Sequence, residues 1–75
     1  MDYQAFYTEV ANWINECNNK AMAFGMHSNE FWSWVMRSTG EMSNKYGNND
    51  LVKKQMIMLV DWLKEIYERM NNRGS

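Results

Sequence analysis

The sequence predicts an all-α protein, a compact antiparallel three-helix bundle, and three observations carry that expectation. Large apolar residues recur at spacings of three and four along three segments of the 75-residue chain. Proline is absent and there are only four glycines, each near a place where a helix should end or bend. The links between segments are short, and connections of about two to five residues cannot carry a chain back along a bundle, so neighbouring helices must run antiparallel.

The first helix is read from Tyr3, Phe6, Tyr7, Val10, Trp13, Ile14, Cys17, Ala21 and Phe24, which share one helical face. Asp2 is placed to cap its start, because a short side-chain oxygen there can accept from the free amides of the first turn. Gln4, Thr8, Asn12, Asn15 and Asn19 form the polar back, together with Glu16 and Lys20, an acid four residues ahead of a base. Gly25 closes the helix with the positive φ of a C-terminal cap, and Ser28 caps the next one.

The second helix is expected over about Asn29 to Tyr46, with Phe31, Val35, Met42 and Tyr46 on a narrow stripe and Trp32 and Thr39 at its flank. Trp34 falls off that stripe, toward Glu30, Arg37, Ser38 and Glu41. Gly40, inside the helix, marks either a close helix contact or a bend. Gly47 ends the segment, and Asn49 is the expected cap of a third helix over about Asp50 to Met70. There Val52, Met56, Leu59, Val60, Leu63, Ile66, Tyr67 and Met70 make one face, while Leu51, Met58 and Trp62 extend it round one side. Asp50 with Lys54 and Glu65 with Arg69 are favourable pairs on the back, and Asp61 with Glu65 sets two like charges four residues apart. Residues 1–70 thus read as one helical domain. Residues 71–75 read as a disordered tail with nothing to bury, and its Gly74-Ser75 ending has the composition of an appended linker.

Composition excludes several function classes. Nine acids against eight bases give a net charge of −1, which offers no field to attract phosphate, so nucleic-acid binding lacks compositional support. The longest apolar run, Met56-Ile57-Met58-Leu59-Val60, falls far short of the roughly 20 residues that span a membrane. No basic-then-apolar leader opens the chain, and Cys17, the one cysteine, cannot form an internal disulfide. A reducing cytoplasm is the expected compartment.

Candidate chemistry is sparse. His27 lies in an interhelix turn with no companion ligands at metal-binding spacing, so no metal and no cofactor is expected. Cys17 stands on the apolar stripe and reads as a buried, inert thiol. Glu41 and the stretch Leu59-Val60-Asp61-Trp62-Leu63 resemble part of the arrangement by which small helical nucleotide pyrophosphatases hold magnesium on Glu-x-x-Glu and Glu-x-x-Asp carboxylates. Here Met58 stands three residues before Asp61, and Asn44 and Lys45 stand three and four after Glu41, so each motif lacks half its carboxylates. A degenerate magnesium-dependent enzyme of that kind is one alternative. A DNA-binding three-helix regulator is another, although Lys53, Lys54, Lys64 and Arg69 on the third helix are interleaved with acids.

The reading that remains is a non-enzymatic module that binds protein, either another protein or itself as a homodimer, with no small-molecule substrate. Eight methionines and four tryptophans are more large apolar residues than a chain this short needs for its core. Methionine adapts to irregular surfaces, and tryptophan buries a large area at interfaces. Trp34, Leu51, Met58 and Trp62 are the expected partner-binding residues. The overall style suits an accessory or inhibitor protein of a mobile element such as phage.

Overall fold

Three helices and no strand make up the described residues, 1–72, of the computed structural model: α1 (Tyr3–Phe24), α2 (Asn29–Lys45) and α3 (Asp50–Asn72). The fold is all-α, the three-helix bundle expected from the periodicity. Helix α3 runs two residues past its expected end and takes in Asn71 and Asn72. The rest of the expected tail, residues 73–75, lies outside the described residues. Contacts divide the chain into two units, Met1–Ser33 and Trp34–Ser75, with the boundary inside α2.

In the first unit the Asp2 carboxylate accepts from the Ala5 amide at 3.0 Å, capping α1 as expected. Phe6, Val10, Trp13 and Cys17, spaced four, three and four, are buried, and Phe6 lies 4.9 Å from the Tyr7 ring. The ends of the expected stripe are not covered: Tyr3, Tyr7 and Phe24 are exposed. Each has a reason to tolerate water. The tyrosines carry a hydroxyl, and the Phe24 ring lies 5.9 Å beneath the Lys20 ammonium.

The turn after α1 is tightly bonded. Gly25, at φ 83° and ψ 144°, donates its amide to Ala21 O at 2.8 Å, in a backbone region that side chains with a Cβ rarely enter. The Ser28 hydroxyl donates to Gly25 O at 2.9 Å and accepts from the Phe31 amide at 3.1 Å, so one side chain both closes the turn and caps α2. The Trp32 indole N–H then reaches back to Met26 O at 2.7 Å. That bond gives its polar edge a partner while the ring packs edge-on to the buried Phe31, 5.3 Å away.

In the second unit Trp34, Val35 and Thr39 of α2 are buried. The Thr39 hydroxyl donates to Val35 O at 2.8 Å, which removes the cost of burying it. Gly40 sits in uninterrupted helix, and a Cβ built there meets nothing within 4 Å, so it marks no close helix contact. Helix α2 ends in a Schellman motif: the Asn48 amide donates to Ser43 O at 2.8 Å and the Gly47 amide to Asn44 O at 3.1 Å, with Gly47 at φ 65°. Asn49 starts α3, its side-chain oxygen accepting from the Leu51 amide at 2.9 Å. Along α3 the buried residues are Val52, Met56, Leu59 and Leu63, again spaced four, three and four.

Candidate partner-binding surface

A straight helix presents its residues at roughly 100° intervals, so five consecutive apolar residues go more than once round the axis and cannot all face a core. The run Met56–Val60 shows this. Met56 and Leu59 are buried, while Ile57 is 60% and Met58 50% exposed. Ile57 and Met58 lie on the back of α3 with Lys54, Asp61, Trp62 and Glu65, and these six side chains line a shallow groove of about 450 Å³. Trp62 forms its half-buried wall. A second depression of about 270 Å³ adjoins it, sharing Ile57 and Asp61 and bounded by Met56, Val60 and Lys64 of α3 and by Met36 and Thr39 of α2. Met36 is 61% exposed. The two grooves form one surface of the second unit, lined by apolar side chains and by charges of both signs.

The expected partner-binding residues separate when placed on the structure. Met58 and Trp62 line the groove together. Leu51 is half-buried in the first turn of α3 and is not among the groove residues. Trp34 is corrected: it is a core residue, 8% exposed. Its position beside the apolar stripe of α2 widens the buried face rather than creating an outer one, because the buried side of this helix takes in Trp34 as well as Thr39.

Ile57 and Met36 belong to the surface and were not singled out from the sequence. For Ile57 a signal existed in the unbroken apolar run. For Met36 there was none, since its neighbour Val35 carries the core spacing and a single apolar residue on a helix back is ordinary.

The remaining candidate chemistry is dispersed. Cys17 is buried, and loss of hydration pushes its thiol from 9.0 up to about 11, which disfavours the reactive thiolate. Glu41 and Asp61, the residues of the partial pyrophosphatase resemblance, are both exposed. Among the described residues no group of three or more His, Cys, Asp or Glu side chains is arranged to hold a metal ion. No helix among them is long and apolar enough to cross a membrane. Comparison with protein-family models, with curated proteins and with solved structures gave no match.

Proposed function

We propose that this chain is a non-enzymatic binding module that works in the reducing cytoplasm by attaching to protein through the back of α3. The observation that carries the reading is the grouping of Ile57 and Met58, both at least half exposed, with Trp62 around one groove. Isolated surface apolar residues are ordinary, but a contiguous set with an indole in its wall has the composition of an interface centre. Lys54, Asp61 and Glu65 line that groove and Lys64 the adjoining depression, with balanced charge. Attraction at long range is therefore weak, and affinity would come from shape and apolar contact. Such a module acts by occupying a surface on its partner, as an accessory or inhibitory subunit does.

A photo-crosslinking amino acid placed at Met58 tests this, with the same group at Asn12 on the exposed back of α1 as control. The expected result in cells is a discrete covalent adduct from position 58 and none from position 12. Adducts of equal yield from both positions, or none from 58, would remove the proposal.

A further inference from the structure

We infer that Met36 and Met58 form a reversible oxidation site, where hydrogen peroxide adds oxygen to two thioethers and so closes the groove surface to its partner. The inference rests on the reading of that face as a binding surface and adds its control.

Met36, Met56 and Met58 line the two grooves, and the grooves share Ile57 and Asp61. Their thioethers differ in access: Met36 is 61% and Met58 50% exposed, whereas Met56 is 4% exposed. An oxidant in solution therefore reaches the two outer sulfurs and is kept from the inner one. That division decides the outcome, because a sulfoxide in a core disrupts packing while a sulfoxide on the surface stays hydrated. Oxidation here changes the face without unfolding the chain. Met1, Met22 and Met70 are exposed as well but line neither groove, so their oxidation leaves this face as it was. Cysteine does not compete for the oxidant. Cys17 is 2% exposed and its thiol stays protonated, whereas peroxide attacks the thiolate.

In the reaction a lone pair of the thioether sulfur attacks one oxygen of hydrogen peroxide. The S–O bond forms as the O–O bond breaks, and the proton of the transferred oxygen passes to the departing one, which leaves as water. Sulfur loses two electrons and the peroxide gains them. A flexible apolar side chain becomes a polar one with a strong hydrogen-bond acceptor. Binding by apolar contact strips water from that acceptor and offers no donor in return, so each sulfoxide weakens attachment by about tenfold. A bound partner covers both sulfurs, so the free chain is the form that is oxidised. Methionine sulfoxide reductases, one for each sulfoxide epimer, restore the thioethers.

The test uses the full chain with a photo-crosslinking amino acid at Lys54, an exposed residue of the groove. The purified chain is treated with hydrogen peroxide, freed of it with catalase, and illuminated in cell extract beside an untreated sample. Peptide mass spectrometry should show one added oxygen on Met36 and on Met58 before any on Met56, with the far-UV circular dichroism unchanged. The yield of the adduct given by the untreated chain should fall about tenfold or more, and the two reductases should restore it. In the Met36→Leu, Met58→Leu double variant, whose side chains keep their volume and apolar character, peroxide should leave the yield unchanged.

An adduct that survives oxidation of both methionines in full yield would overturn the control while leaving the binding face in place. So would an equal loss in the double variant, or a loss that appears only as Met56 is oxidised and the helices melt. No adduct from the untreated chain, at position 54 or position 58, removes the binding face and its control together.

Discussion

Replacing Gly40 with alanine should stabilise this protein, and the expected size follows from what surrounds the position. Gly40 lies in the interior of α2, exposed, with helical backbone, and an added Cβ would meet nothing within 4 Å. No steric cost opposes the change, so the difference is the backbone freedom that glycine retains in the unfolded chain, about 0.5 to 1 kcal/mol. For a domain of this size that corresponds to a rise in melting temperature of about 2 to 8 °C. Gly25 and Gly47 provide the control, because a Cβ there also meets nothing within 4 Å, yet their φ angles are +83° and +65°. Alanine at either should destabilise by about 1 kcal/mol or more, through strain in the folded state. The assay is urea unfolding followed by far-UV circular dichroism, with the slope against denaturant unchanged so that the midpoint reports stability. If Gly40→Ala lowered the midpoint, or Gly47→Ala raised it, the assignment of these glycines to helix interior and left-handed cap would be wrong.

Two further perturbations separate core from surface. Trp34→Ala removes a buried indole and should cost about 3 to 5 kcal/mol, a large part of what a chain this small has, whereas Met58→Ala should move stability by no more than about 0.5 kcal/mol. Denaturant melts of the two variants check this, and a mild effect at Trp34 would return that residue to the surface. For Cys17, burial disfavours the thiolate, so between pH 9 and about 11 the unfolded chain loses the thiol proton while the folded chain keeps it. The unfolded state then binds fewer protons, and stability should fall with rising pH across that window. The urea midpoint of the parent should accordingly fall more steeply than that of Cys17→Ala, and an equal slope for the two would show that the thiol is not held neutral by the fold.

Much of the candidate surface was visible in the sequence, but unevenly. Met58 and Trp62 were identified because they extend the apolar face of α3 round one side, and the groove contains both. Ile57 was overlooked inside a hydrophobic run, although the spacing that puts Met56, Leu59 and Val60 on the apolar face and Met58 at its flank leaves Ile57 on the back. Trp34 was misplaced for a different reason. A wheel measures angle from a stripe, but the width of the buried sector depends on how much the rest of the chain covers, and tryptophan is long enough to bury itself from the sector's edge.

The sequence by itself determined where α1 and α2 begin and end and where α3 begins. Asp2, Gly25, Ser28, Gly47 and Asn49 all act at the caps expected of them. Capping joins groups within about five residues of one another, so its chemistry is complete in the local sequence. It also determined the inner residues of α1 and α3, whose four-three-four spacing admits one burial face. Only the tertiary structure decided the outer limits of the helix faces: that Trp34 of α2 is covered, that Tyr3 and Phe24 of α1 are not, and that Met36 of α2 joins Ile57 of α3 at a groove. Burial at the margin of a helix face depends on residues distant in sequence, and periodicity along one helix carries no information about them.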